Sequence, residues 1–169
     1  MGKILIGTLI ASICSIATLT SCSTDGCTEN QSSIPLAGFY SSKSGTQISL
    51  DSLNIGGVGA PNDALLLESG TSAYQVYLPL RSTKNNTSFY INYAYKGLDN
   101  VALNDTIELG YSLKPYFVSE ECGAMYHYRI TSMKHTCHLI DSVVLIDSMI
   151  TNVDAERIRI YFKTASPEQ

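Results

Sequence analysis

The stretch Asp105-Thr106-Ile107-Glu108-Leu109-Gly110-Tyr111-Ser112-Leu113 decides the fold class. Ile107, Leu109, Tyr111 and Leu113 fall on every second residue, with polar or small residues between them. Successive side chains of a strand point to opposite faces, so this period describes a strand with one buried face and one wet face. The period returns near the C-terminus, where Ile158, Ile160 and Phe162 alternate with Arg157, Arg159, Tyr161 and Lys163. It also runs through Phe89, Ile91, Tyr93 and Tyr95, which alternate with Tyr90, Asn92 and Ala94.

Working outward, strand signals recur at short intervals with turn residues between them. Strands are expected over 34–40, 47–55, 64–67, 73–81, 148–152 and 157–163, with 123–132 and 138–146 read as a pair. In 47–55 the alternation of Ile48 and Leu50 resumes out of phase at Leu53 and Ile55, which predicts a bulge at Asp51-Ser52. The apolar run Val143 to Ile146 predicts a central position. No long amphipathic helix and no internal repeat is present in the pattern. The expectation is an all-β domain: an antiparallel β-sandwich, Ig-like or Greek-key, of about eight to ten strands.

The first 21 residues read differently. Met1-Gly2-Lys3 is a short basic start, and Ile4 to Leu19 is apolar or small and uncharged. That is the layout of a secretory signal, and the run is short for the ~20 apolar residues of a membrane span. Leu19-Thr20-Ser21-Cys22 closes it and resembles the lipobox of bacterial lipoproteins. The resemblance implies cleavage before Cys22 and attachment of diacylglycerol to its thiol. Three acyl chains at about 0.8 kcal/mol per buried methylene would anchor the chain stably. Ser23, in place of an acid, implies sorting to an outer membrane, with the periplasmic or surface face undecided.

The expected domains are therefore a lipoprotein signal over 1–21, a lipidated cysteine and flexible tether over 22–33, the sandwich over 34–164 and a disordered tail over 165–169. Residues 23–33 are rich in Ser, Thr, Asn, Asp and Gln, as a tether requires. Removing 1–21 takes away Lys3 and no acid, leaving 10 basic and 15 acidic residues and a net charge of −5. A mildly acidic, unclustered surface argues against a nucleic-acid partner.

Of the five cysteines, Cys14 leaves with the signal and Cys22 is the expected anchor. Cys27, Cys122 and Cys137 remain, and an oxidising compartment predicts one disulfide and one spare thiol. Cys27–Cys122 is favoured, because it would tie the anchor-proximal segment to a distant loop and restrain the unfolded chain strongly. Cys122–Cys137, between neighbouring strands, stays open as the rival.

The segment Pro115-Tyr116-Phe117-Val118-Ser119-Glu120-Glu121-Cys122-Gly123 resembles small uncharacterised lipoproteins of Bacteroidota. The likeness continues through His138-Leu139-Ile140-Asp141-Ser142-Val143 and Ile158-Arg159-Ile160-Tyr161-Phe162, with Cys27 and Phe39-Tyr40 upstream. It carries no function. It implies the Cys27–Cys122 pairing and leaves Cys137 as an extra.

Asp-(Ser/Thr)-aliphatic occurs at Asp51-Ser52-Leu53, Asp105-Thr106-Ile107, Asp141-Ser142-Val143 and Asp147-Ser148-Met149, using four of the eight Asp residues. This resembles the O-glycosylation acceptor of exported Bacteroidota proteins, with the sugar on Ser52, Thr106, Ser142 or Ser148. The competing explanation is structural: Asp-Ser suits a turn, and an aliphatic residue next begins a strand.

Other constellations are weaker. His135-Thr136-Cys137-His138 with His127 upstream would be a three-ligand metal site only if paired strands brought them together, and the spacing matches no strong zinc signature. Glu120-Glu121 points apart on an extended chain. Gly56-Gly57-Val58-Gly59 lacks the Lys and helix of a phosphate loop. Tyrosine is abundant at 11 and tryptophan absent, and Tyr90, Tyr93, Tyr95, Tyr126 and Tyr128 would serve a half-buried sheet or a binding surface. The functional expectation is a lipid-anchored, non-enzymatic binding, adhesion or structural module without cofactor or catalytic residue. The alternative is a glycan- or peptide-binding component of a nutrient-capture system. Beyond the membrane, no partner is specified.

Overall fold

The computed structural model describes residues 26–164, and the expected signal, Cys22 and the C-terminal tail lie outside them. The described chain is a two-sheet β-sandwich. Its strands are β1 (Leu36–Ser41), β2 (Leu53–Gly57), β3 (Leu65–Leu67), β4 (Gln75–Tyr77), β5 (Asn86–Tyr93), β6 (Asp105–Ser119), β7 (Gly123–His135), β8 (Ile140–Leu145), β9 (Met149–Ile150) and β10 (Glu156–Phe162). One sheet runs β4-β1-β10-β8 and the other β3-β2-β5-β6-β7-β9. Every pairing is antiparallel except β1 with β10, which lie parallel.

The alternation read from the sequence becomes the core. Ile107, Leu109 and Tyr111 of β6 and Phe89 and Ile91 of β5 point inward from the larger sheet. Phe39 of β1 and Ile158, Ile160 and Phe162 of β10 meet them from the smaller one. The ring of Phe162 packs edge-on against Phe39 at 5.6 Å and against Tyr93 at 6.5 Å, which joins the two layers. β1 is buried at all but one position because it lies between β4 and β10. On its outer side Gly38 leaves room for the Glu156 carboxylate, which accepts from the Tyr40 hydroxyl at 3.0 Å and from Arg159 Nε at 2.8 Å.

Four details differ from the sequence reading. The apolar run Val143 to Ile146, expected to sit centrally, falls in and just after β8, which is an edge strand of the smaller sheet, and Val144 and Ile146 are exposed. The phase slip at Asp51-Ser52 is a change of sheet and not a bulge. Gln47 bridges to Tyr40 and Leu50 to Ala73, beside the smaller sheet, whereas Leu53 opens β2 against β5 in the larger one. Both halves keep an apolar side inward, so the phase must reset where the chain passes from one layer to the other at exposed Asp51 and half-buried Ser52.

The expected pairing of 123–132 with 138–146 does not occur. β7 pairs with β6, from Ser119 opposite Gly123 to Ile107 opposite His135. β8 joins the other sheet as the antiparallel neighbour of β10. Residues 136–139 cross between layers; the Thr136 N–H and the Leu139 carbonyl pair with the backbone of Thr106 and Lys163, and side chains described below take up other groups of the crossing.

Finally, β6 runs six residues beyond Leu113, and its partner β7 begins correspondingly early. Residues 114–127 contain no buried residue, so the alternation fades where there is no interior to face. This distal part of the hairpin is a two-stranded ribbon, and such ribbons are marginal in isolation. Here Cys27–Cys122 holds its turn, with Cα atoms 4.7 Å apart across 95 residues of sequence. Gln31 Nε2 donates to the Cys122 carbonyl at 2.9 Å. Gly123 takes φ +71°, the left-handed conformation that closes a three-residue hairpin loop. Of the expected tether, residues 26–33 are described; Asn30 adds a bond to the Asn152 carbonyl at 2.8 Å.

Candidate functional site

The register places β5's end, β6's start and β7's end together, since Ile91 faces Asp105 and Ile107 faces His135. The hairpin turn therefore lies at the other end of β6. At about 3.3 Å per residue, the 15-residue strand separates Asp105 from Ser119 by roughly 45 Å of contour.

At the Asp105 end the crossing of residues 136–139 needs partners, because a chain passing between layers loses its ladder bonds. Asp105 supplies the acceptors. It has no exposed surface. Its Oδ1 accepts from Thr136 Oγ1 at 2.6 Å and from the His138 N–H at 2.9 Å. Its Oδ2 accepts from the Tyr93 hydroxyl at 2.7 Å and from the N–H groups of Leu139 and Ile140 at 2.8 and 2.9 Å. Lys163 supplies the donors: its Nζ reaches the carbonyls of Cys137 at 2.6 Å and His138 at 3.0 Å. One carboxylate and one ammonium thus bond to much of the crossing's backbone.

Burial opposes ionisation of Asp105, but the bonds from Thr136, Ile140, His138 and Tyr93 outweigh it, and its pKa lies below the usual 3.8. The Tyr93 phenol is pushed far above its usual range by burial first and by the bond to this anion second. With both oxygens filled by five donors, Asp105 has no free lone pair with which to accept a ligand's proton.

Above this knot the sandwich opens into a cleft of about 310 Å³. Tyr93 and Phe162 form its floor, Leu98 and Leu139 its walls, and Tyr95 stands on its rim at 62% exposure. The polar groups at its edge are Asp51, Ser52, Lys163 and Thr164. Ser52 Oγ already donates to Asp51 Oδ1 at 2.8 Å. The volume is at the lower end of small-ligand sites, which run from about 300 to 1,000 Å³. Chemically, the cleft can take a small apolar group and orient it from its polar edge.

The residues singled out in the sequence are dispersed. Cys22 lies outside the described residues. Cys27 and Cys122 form the disulfide, and Cys137 is a free, exposed thiol. Ser52 borders the cleft. Thr106 is exposed beside buried Asp105, and Ser142 lies on β8 next to exposed Asp141. Ser148 precedes β9, where Asp147 Oδ1 accepts from the Met149 N–H at 2.9 Å and Oδ2 from Arg157 at 2.6 Å. His127 and His135 sit toward opposite ends of β7. No group of three His, Cys, Asp or Glu that could hold a metal occurs among the described residues. His127 instead stacks on Tyr116, ring centroids 4.2 Å apart. Of the five clustered tyrosines, Tyr93 and Tyr128 are buried, whereas Tyr95 and Tyr126 are exposed.

Sequence reasoning missed Leu98, Leu139 and Lys163 at the cleft. They lie in loops or just past a strand end, where alternation carries no signal. Asp105 was legible only as part of a tripeptide motif.

A two-sheet, all-β domain with one end tied by a disulfide and the other opening into an apolar cleft defines the class. The family of unknown function DUF6452 matches residues 52–162, well over half of the chain, and the protein belongs to that family. No curated protein and no solved structure matches it.

Proposed function

We propose that the protein is a lipid-anchored lipoprotein of the Bacteroidota cell envelope, acylated at Cys22 and carried by an outer membrane, with the sandwich serving as a non-enzymatic binding module. The observation that supports this most is the opposition of the two ends. Cys27, five residues after the expected anchor, is bonded to the hairpin turn, and the cleft opens at the far end of the same long strand. An anchored chain would present the cleft away from the bilayer. The largely apolar lining favours an aliphatic or aromatic side chain of a peptide over a sugar, whose hydroxyls need many polar partners. The saturated lone pairs of Asp105 support binding without proton transfer.

Two measurements test this. Intact-mass spectrometry of protein from its native membranes should give a chain that begins at an acylated Cys22. A chain retaining residues 1–21, or lacking lipid, sinks the anchor. For the cleft, the amide resonances of Tyr95, Leu98 and Leu139 should shift with capped tripeptides centred on Leu or Phe and stay still with neutral oligosaccharides. Leu98→Glu should abolish the shifts. Shifts with oligosaccharides alone would replace the peptide reading with the glycan one.

A further inference from the structure

The distal ribbon of β6 and β7 carries Tyr116, Phe117 and Tyr126 at 44%, 63% and 45% exposure, together with exposed Pro115. Tyr116 and Phe117 are adjacent on one strand, so they project to opposite faces, and both faces of the ribbon present an aromatic ring. A wet ribbon needs no such residues. Exposed apolar groups clustered on one projecting element mark a contact surface.

The chain itself says what that surface meets. Cys27 is bonded to Cys122 in the ribbon's turn. Cys27 lies five residues along from Cys22, and at 3.3–3.6 Å each these steps span at most about 18 Å. Resting on the reading that Cys22 is acylated, the turn stays within this span, plus the 4.7 Å between the Cα atoms of Cys27 and Cys122, of its anchor. We propose that the ribbon is a membrane-contacting arm, with Tyr116, Phe117 and Tyr126 seated among the headgroups of a phospholipid bilayer.

Tyrosine and other amphipathic rings are enriched at this level because one end is apolar and the other wet. Glu120 and Glu121 occupy the exposed turn and disfavour deep insertion, so the ribbon lies in the interface along its side and favours zwitterionic lipid. Contact at this second point, besides the acyl chains, would hold the domain in one orientation with the cleft outward.

The absence of tryptophan supplies the assay. Full-length chains carrying Phe117→Trp or, as a reference at the opposite end, Val101→Trp (Val101 is 85% exposed) are purified in acylated form and placed in phosphatidylcholine vesicles. The Phe117→Trp chain should show blue-shifted emission and a severalfold larger loss of emission to brominated lipid than the Val101→Trp chain. Reduction of the disulfide should diminish that difference. Equal quenching of both by aqueous acrylamide, with Cys22 acylated by mass, overturns the arm and leaves the anchor standing. Protection from acrylamide without quenching by brominated lipid means that protein covers the ribbon, and also overturns it. A mass without lipid removes the anchor and the arm together.

Discussion

Replacing Asp105 by Asn tests whether the carboxylate knot holds the two sheets in register. The substitution keeps shape and turns one oxygen into a donor. In the milder orientation the new amide takes the place of Oδ1, facing Thr136 Oγ1 and the His138 N–H. The threonine hydroxyl can rotate and accept, but the His138 N–H cannot, and an orphaned buried donor costs about 1–3 kcal/mol. The three bonds at Oδ2 also lose their charge assistance, which is worth roughly 1 kcal/mol each. A neutral amide is easier to bury than an anion, which offsets part of the loss. The expected net destabilisation is about 2–4 kcal/mol, against a total of about 5–15 for a domain. Urea unfolding with the disulfide intact measures it. The pH dependence adds a sign. The folded pKa lies below the unfolded 3.8, so the contribution of Asp105 is complete above 3.8 and is lost as pH falls through the folded value. The gap between wild type and Asp105→Asn should be flat near neutrality and narrow below about pH 4. A gap under about 1 kcal/mol at pH 7, or one that widens in acid, would refute the reasoning.

Other perturbations address the rest of the fold. Cys27→Ser with Cys122→Ser should lower stability by up to about 4–5 kcal/mol, the chain-entropy value for a loop of this size, and should raise amide exchange in residues 26–33. Gly38→Ala would drive a methyl into the Glu156 carboxylate and the Tyr40 ring; a loss of about 1–2 kcal/mol in thermal unfolding is expected from overpacking. Phe162→Ala should cost about 3–5 kcal/mol, because its ring joins Phe39 to Tyr93 across the layers. A change under about 1 kcal/mol would mean that the cleft floor is not part of the core.

The sheets were readable where the chain has an inside and an outside. Ile107, Leu109, Ile158 and Ile160 obey the period of two because each packs against the opposite layer. The period says nothing about which strands pair: β7 and β8 have the pattern of a hairpin, yet they separate into different sheets, with the His138, Leu139 and Ile140 N–H groups between them donating to Asp105. The Cys27–Cys122 bond was reachable through family resemblance and chain-entropy reasoning, with Cys122–Cys137 still open. The cleft was not legible. Tyr93 follows the alternation, but Leu98 and Leu139 come from loops, and the crossing that carries Leu139 is held by the Asp105 carboxylate and the Lys163 ammonium, neither of which the period of two reveals.

The four Asp-(Ser/Thr)-aliphatic motifs carry the same argument to a chemical test. They have one sequence pattern and four environments. Asp105 is fully buried in the knot, and Asp147 is engaged by the Met149 N–H and Arg157. Both have structural duties that account for their presence without any modification. Asp51 and Asp141 are exposed, and among the described residues their carboxylates accept from the hydroxyls of their own neighbours, Ser52 at 2.8 Å and Ser142 at 3.3 Å. An enzyme reading the motif on a folded chain needs the acid as well as the hydroxyl, and only these two offer both. If O-glycosylation follows folding, peptide mass spectrometry of the native protein should find hexose on Ser52 and Ser142 and none on Thr106 or Ser148. Asp51→Ala should then remove the Ser52 glycan while leaving the urea midpoint unchanged, whereas Asp105→Ala should lower the midpoint and change no glycan. Sugar on Thr106 would refute this ordering, since buried Asp105 can be read only before the knot closes. Unmodified serines at both exposed sites would leave the motif as turn chemistry alone.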